Sequence, residues 1–585
     1  LINSGFLKVN VLKGVFSEVK NAGVFTIRTL GEKDRTDEVV TFTSLENKGL
    51  LNIANSSDLN LGEGKNSGTI TGEGLNLEIS KALKNLSDGL IQVNSLRGAG
   101  AVDNQGKFYK LKSLEVNSFK NQGVFVNDFL NLKSCQSFTN DSDGVIATKE
   151  LQADSLTNSG LIESDKVDIY YLNNYGKIVS GDIWGSTLNN YGEIVSKTNL
   201  AINVTNFTNR NLWGRKAPLV KTDGNLTLSS YSINTDKDSI IEAMGSMSLM
   251  ASSEINLGGK VITNHSFKLQ SNNLQTSAKI TSNGNYPSLI KVSNNLKTIK
   301  DTTKSKEDRF DFIPVKKDYK SKSKVSSTIG SSTDGSATNG SFIVVKGKLG
   351  VEASNWEHEG VLAVKEDVSI KVKDLSISEK GSIIGQSGQK STAQLNVTAN
   401  ALKGTGHVQF ANITLNPLSS EHKSYFANLL SLKIKALEQL HYNYFCPLTL
   451  TGMLEGKNLI IQGDVINQGN LLAHDSIAIE GAFLNDTAGK GSLCGLDLKE
   501  KKPLETFINR GELSLKQIKS LGQDYINLEN HGKLEITDHF TNHLKLGRVL
   551  NQKDATIAFG MGTYFTDVFT NYGTQIVLPG QDLHH

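Results

Sequence analysis

The sequence predicts an all-β chain wound as a parallel β-helix, a solenoid, and three observations carry that prediction. A short phrase recurs at nearly constant spacing, its inward positions share one parity, and the composition is too lean in apolar residues for a compact globule of 585 residues.

Between Leu1 and Val195 the phrase apolar-x-Asn-x-Gly-x-apolar, exact or varied in a slot or a step, occurs eleven times. Its polar slot holds Asn3, Asn21, Asn47, Asn66, Asn104, Asn121, Asn140, Asn158, Asn174 and Asn190, with Ser87 in the one remaining copy. Spacings run from 16 to 21 residues apart from one gap of 26, and the phrase returns at Asn467, Asn485, Asn509, Asn530 and Asn571. A period near 20 residues marks a repeat array in which each copy is one turn.

Parity gives the phrase its physics. In an extended chain Leu156, Asn158, Gly160 and Ile162 point to one side. That side is apolar, so the Asn is inward too, and a buried amide is costly unless hydrogen-bonded. Stacked turns supply the partners: each Asn bonds the Asn above and below it, forming a ladder. Gly two residues later suits a corner that needs positive φ or a close backbone approach. The apolar site beyond the corner is Leu7, Phe25, Leu51, Ile70, Ile91, Phe108, Phe125, Ile146, Ile162, Ile178 and Ile194. Hairpins are disfavoured, because their turns prefer Asn directly followed by Gly.

Hydrophobic residues make up 37% of the chain and aromatic residues 7%. A solenoid needs only a thin apolar thread, since each turn buries its interior against its neighbours. The 62 basic and 59 acidic residues nearly cancel, and no basic stripe with interleaved aromatics suggests nucleic acid. Outward positions compensate from turn to turn, as at Lys177 and Glu193. Cys135, Cys446 and Cys494 are too few and too scattered for a disulfide framework or a cysteine zinc site. No apolar run approaches a membrane span. The chain starts inside a repeat, which is expected of an internal piece of a longer polypeptide.

The elements follow in order. Residues 1–296 read as β-helix, most regular to about 200, after which strands such as Leu226-Thr227-Leu228 continue with other corners. Residues 297–340 carry ten basic residues from Lys297 to Lys324 and a Ser/Thr/Gly run, and read as a flexible polar insertion. Strands resume over 341–416. Over 417–447, Phe426, Leu430, Ile434, Leu437 and His441 fall at helical steps, predicting an amphipathic helical insertion. The coil returns over 448–585. Without the insertions about 510 residues remain, roughly 25 turns and on the order of 120 Å of stacked strands.

The sequence offers little catalytic chemistry. Glycoside hydrolysis needs two carboxylates about 5 to 10 Å apart, which means acids at equal offsets on neighbouring turns. Glu163 aligns instead with Val179 and Val195, and Glu193 with Lys177. None of the eleven histidines precedes His265. His539 and His543 are four apart but lack the Glu of a metalloprotease motif and lie among strand repeats. Trp184, Trp213 and Trp356 are too scattered for a sugar track. No cofactor motif is present, and no catalytic, cofactor or metal residue is assigned.

The phrase, with alternations such as Leu459-Ile460-Ile461-Gln462-Gly463-Asp464-Val465, resembles the haemagglutinin repeats of filamentous-haemagglutinin-like exoproteins, secreted by two-partner systems of Gram-negative bacteria. The resemblance implies a right-handed parallel β-helix at the bacterial cell surface or secreted from it. It implies passage through an outer-membrane transporter, and a receptor or glycan on a host or neighbouring cell as partner. The expected function is a structural and adhesive rod, not an enzyme, its structural residues being the ladder of Asn104, Asn121, Asn140, Asn158, Asn174, Asn190, Asn467, Asn509, Asn530 and Asn571. Two alternatives stand beside it: the stalk of a contact-dependent growth-inhibition toxin, and a β-helical polysaccharide lyase or glycoside hydrolase. The family's secretion domain with its Asn-Pro-Asn motifs is not recognisable here, and neither is a toxin module.

Overall fold

In a computed structural model the chain is all-β, and its parallel strands form a β-solenoid of about 24 turns. The structure describes the chain apart from residues 31–39, 55–56, 73, 112, 213, 215, 300–340, 386–391, 419–427, 445–446, 499–505, 517–526, 538–543, 561–562, 578–581 and 585. It divides into two units, Leu1–His265 and Ser266–His585.

In the first unit each turn pairs in parallel register with the next. Val145–Asn158 lies against Leu161–Asn174, with Ile146 opposite Ile162, Leu151 opposite Val167 and Asn158 opposite Asn174. Burial along Leu161–Asn174 alternates except at two places where consecutive residues are exposed, Asp165-Lys166 and Tyr170-Tyr171. Those are corners: two outward residues in succession rotate the chain onto a new side, so one turn has three short sides. Like therefore stacks on like, as alternation with a constant turn length dictates. Phe108 lies on Phe125 with centroids 5.7 Å apart and planes at 15°, and Phe119 on Phe138 at 5.2 Å and 8°. All the apolar residues expected after the Asn corner are buried except Leu7, which is half-exposed. The coil continues through Leu200–Asn209, Leu226–Thr235 and Met247–Leu257, as the alternation of that stretch predicts.

The second unit repeats the plan, with Leu349–His358 against Val368–Ile377 and Glu512–Lys516 against Lys533–Thr537. The helix expected over 417–447 is corrected: the described residues there form strands Asn428–Leu430 and Lys433–Tyr442, paired with neighbouring turns. Leu430, Leu432, Ile434 and Ala436 are buried at steps of two, and so are Leu440, Tyr442 and Tyr444. A slip in register between Ala436 and Gln439 separates the two runs; Leu437 and His441, read at helical steps with the buried Leu430 and Ile434, belong to neither buried run, so the helical reading mixed the two faces of a strand. The polar insertion expected over 297–340 lies outside the described residues from 300 onward; Lys297 and Thr298 end the strand Ser288–Thr298.

Candidate functional site

The described interior holds two stacks of asparagine. In the first, the Nδ2 of each Asn donates to the Oδ1 of the Asn one turn later. The stack runs Asn3, Asn21, Asn47, Asn66, Asn85, Asn104, Asn121, Asn140, Asn158, Asn174, Asn190 and Asn209, at 2.7 to 2.8 Å per link. The second runs Asn467, Asn485, Asn509, Asn530, Asn551 and Asn571 in the same sense. The ladder thus joins Asn104 to Asn190 and Asn467 to Asn571 as the sequence predicts.

A rung inside the stack is almost fully satisfied. Asn158 accepts from Asn140, donates to Asn174 at 2.7 Å, and turns its remaining N–H to the carbonyls of Gly160 at 3.2 Å and Lys177 at 3.3 Å. Its own backbone carbonyl accepts from the amides of Tyr175 and Gly176 on the next turn. An amide has two donors and one carbonyl oxygen, so a side chain that would cost a few kcal/mol alone is tolerated at complete burial.

The Ser87 assignment is corrected. Asn85 holds the rung, accepting from Asn66 and donating to Asn104, while Ser87 is exposed. The corner after Asn85 has two extra residues and closes by a bond from the Gly89 amide to the Leu86 carbonyl. The same enlarged corner follows Asn140, Asn485 and Asn551. With Asn85 in place, both neighbouring spacings become 19 residues, a regularity visible in the sequence. Asn209 and Asn551 were also missed, since no Gly stands two or four residues after either.

At the corners, glycine is required by proximity rather than by positive φ. A Cβ on Gly176 would lie 2.1 Å from the Gly160 carbonyl oxygen, and one on Gly192 2.1 Å from that of Gly176. The backbones stack there too closely for any side chain.

A second buried polar column went unread. Thr148, Ser164, Ser180, Ser196 and Thr222 point inward at the first corner of successive turns. The Ser164 hydroxyl donates to the Lys166 carbonyl at 2.7 Å and the Ser180 hydroxyl to that of Asp182 at 3.0 Å, each satisfying its own corner. The signal was available: Ser or Thr stands two residues after Ile146, Ile162, Ile178, Ile194 and Val220.

Where the Asn phrase fades, other residues take the rung. In the second unit these include Thr276, Thr298 and then His358, which is fully buried. Burial pushes the His358 ring down to about 4 from 6.5, against the opposing bond to the Ser382 carbonyl, so the imidazole is neutral.

Among the described residues no group of three or more His, Cys, Asp or Glu could hold a metal ion. His539 and His543 lie outside the described residues. The most perturbed carboxylate is Glu455, whose partial burial is outweighed by hydrogen bonds from His474 at 3.2 Å and Lys435 at 2.7 Å, holding it at about 2. It is an ionised bridge across adjacent turns, with no protonated carboxyl to act as an acid. Glu163 stands opposite Ala147 and Val179, as its offset predicts. Lys177 does face Glu193, but the Glu193 carboxylate pairs with Lys216 instead. Turn-to-turn pairs do form elsewhere, as at Lys221–Glu242, 3.2 Å, and Lys348–Asp367, 3.0 Å.

The outward faces are where the turns differ. Exposed aromatics gather at Tyr170, Tyr171, Tyr175 and Trp184. Tyr175 stacks on Tyr191 of the next turn, centroids 4.9 Å apart and planes at 20°, and Tyr170 meets Tyr171 edge-on at 4.6 Å. Trp356 is buried in the second unit.

No family model, no curated protein and no solved structure matches this chain. Among the described residues no helix is long and apolar enough to cross a membrane.

Proposed function

We propose that the chain is a structural and adhesive rod segment of a large secreted bacterial surface exoprotein of the filamentous-haemagglutinin kind, which attaches to a receptor or glycan on another cell or spaces a binding tip from its own. The observation that carries this is the unbroken stack of inward asparagines from Asn3 to Asn209. A coil that commits its interior to identical rungs gains extension with every copy and leaves only its outer faces free to vary. Such a design suits spacing and surface display, and the haemagglutinin-like phrase supports the same reading. Export through an outer-membrane transporter belongs to this proposal.

The test is adhesion. Beads coated with the chain are offered to epithelial cells and to bacteria, beside beads carrying a protein of similar size and charge. Attachment above that control is expected. Depolymerisation of a polysaccharide without attachment would overturn the proposal in favour of a β-helical lyase or hydrolase.

A further inference from the structure

One outward face of the first unit changes character along the coil. Of the three outward positions around the Asn rung, at −3, −1 and +1 relative to it, at least one is charged on every turn from Asn21 to Asn140, and several of these charges are paired. Lys20 bonds Glu18 at 2.6 Å, Lys48 bonds Glu46 at 2.8 Å, and Lys120 bonds Asp141 at 3.1 Å. Over three later turns these positions carry no charge at all. They read Ser155, Thr157, Ser159; then Tyr171, Asn173, Tyr175; then Thr187, Asn189, Tyr191. Charge returns at Arg210 on the next turn.

Within this block the middle row places an amide between two exposed phenol rings, since Leu172 and Asn174 point inward and the residues between and beside them outward. The Asn189 Nδ2 donates to the Asn173 Oδ1 at 2.9 Å, which ties the two amides together across the turns while Asn173 stays half-exposed. Tyr175 is held by its stack on Tyr191. Tyr171, Asn173 and Asn189 sit on paired strands, and Tyr175 and Tyr191 sit at the corner just beyond, where their amides donate to the Asn158 and Asn174 carbonyls of the preceding turn, so rings and amides are pre-ordered and little conformational freedom is lost on binding.

We infer that the Tyr171–Asn173–Tyr175 row, with Asn189 and Tyr191 beside it, binds an uncharged oligosaccharide. This deepens the adhesive reading and rests on it. A sugar ring offers an apolar C–H face to an aromatic ring and hydroxyls at its rim to amides and hydroxyls, and this block supplies both side by side. Nucleic acid also stacks on aromatics but needs a positive groove along its backbone, and anionic polysaccharides need the same; no cation stands among these nine positions. A protein hot spot needs a desolvated apolar pocket, whereas the ring-free positions of this face are all hydroxyl or amide.

The experiment uses the full chain on an array of uncharged oligosaccharides of glucose, galactose, mannose and N-acetylhexosamines, with sulfated and uronate-bearing chains as the anionic arm. The best uncharged probe is then titrated by calorimetry. Binding is expected to be insensitive to salt and to weaken by about tenfold or more in Tyr171→Thr, which installs the residue type of the next row, and in Asn173→Thr, which installs that of the previous one. Both replacements occur naturally on neighbouring turns, so the fold is retained, and an unchanged urea midpoint checks this. Tyr231→Ala, at an exposed tyrosine elsewhere, is expected to bind as the parent does. Absence of uncharged ligands, binding confined to anionic chains, or full affinity in both row variants would overturn the inference. Cell attachment that persists in those variants would sink this inference alone, whereas loss of attachment by the parent chain would remove the adhesive reading itself.

Discussion

The Oγ1 of Thr298 lies 2.8 Å from the Nδ1 of His358, and the Nε2 of the same ring lies 2.9 Å from the Ser382 carbonyl oxygen. This repeats an asparagine rung in other atoms. Asn140 accepts through Oδ1 from the turn before and donates to the carbonyl of Leu161, the residue just past the corner Gly160. His358 accepts through Nδ1 from the turn before and donates to the carbonyl of Ser382, just past Gly381. The tautomer follows from its partners: a carbonyl can only accept, so Nε2 carries the proton and Nδ1 receives the threonine hydroxyl.

Acid should therefore act on the second unit through His358. Its folded pKa, about 4, lies below the ordinary 6.5, so the unfolded chain takes up a proton that the folded chain refuses. The contribution is complete above pH about 6.5 and declines as pH falls toward 4, by roughly 3 kcal/mol in total. Urea titrations over that range should show the loss, and His358→Asn should flatten it while keeping stability at pH 7.5 within about 1 kcal/mol. A parent profile no steeper than the variant's would contradict the neutral rung.

Breaking one rung in mid-stack should cost more than removing one at its edge. Asn158→Ala leaves the Asn140 donor and the Asn174 acceptor buried without partners, a loss of about 3 kcal/mol. Asn571→Ala removes a side chain that is exposed and accepts from Asn551, and should cost under about 1 kcal/mol. Equal losses on denaturation would show that the stack does not carry the energy assigned to it.

Two glycines five residues apart should respond in opposite directions. Gly176→Ala forces a Cβ to within 2.1 Å of a backbone oxygen on the adjoining turn and should destabilise by about 3 kcal/mol or more. Gly181→Ala meets nothing nearer than 3.7 Å and is not at positive φ, so it should be neutral or stabilise by up to about 1 kcal/mol. Circular-dichroism melts of the pair decide the matter.

Cys135 offers a reporter of the first unit. It is buried, with its thiol pushed up to about 11 by that burial. Since the thiolate is the reactive form, iodoacetamide at pH 8 should leave Cys135 unmodified in the native chain and label it in urea, as read by peptide mass mapping. Rapid native labelling would mean that the turns around it open readily.

How much of this was legible depended on whether a residue's direction could be known before its register. The Asn rungs, the corner glycines and the aliphatic columns share parity within a single phrase, so Leu156, Asn158 and Ile162 declared themselves. Asn85 was hidden because two extra corner residues moved its glycine. The strand Lys433–Tyr442 reads as a helix because Leu437 falls three residues from the inward Ile434 and His441 four beyond Leu437, though both lie outside the buried series. The tyrosine and asparagine row was invisible for a deeper reason. Tyr175 and Tyr191, and Asn173 and Asn189, become neighbours only once turns of 16 residues are laid on one another, and a single strand does not announce what lies beside it.

The asparagine stack also has a direction. Every described link in it runs from an N–H on one turn to an oxygen on the following turn, so the amide dipoles align head to tail instead of cancelling. The leading edge of a growing coil therefore always presents a donor, and the next segment is accepted when it offers an oxygen at the matching offset. At Asn209 the last donor of the first stack is buried with no partner, an unanswered invitation in the same polarity. Winding turn upon turn from the N-terminal side is thus templated by chemistry already in place, which would let a chain emerging end-first order itself without waiting for its remainder.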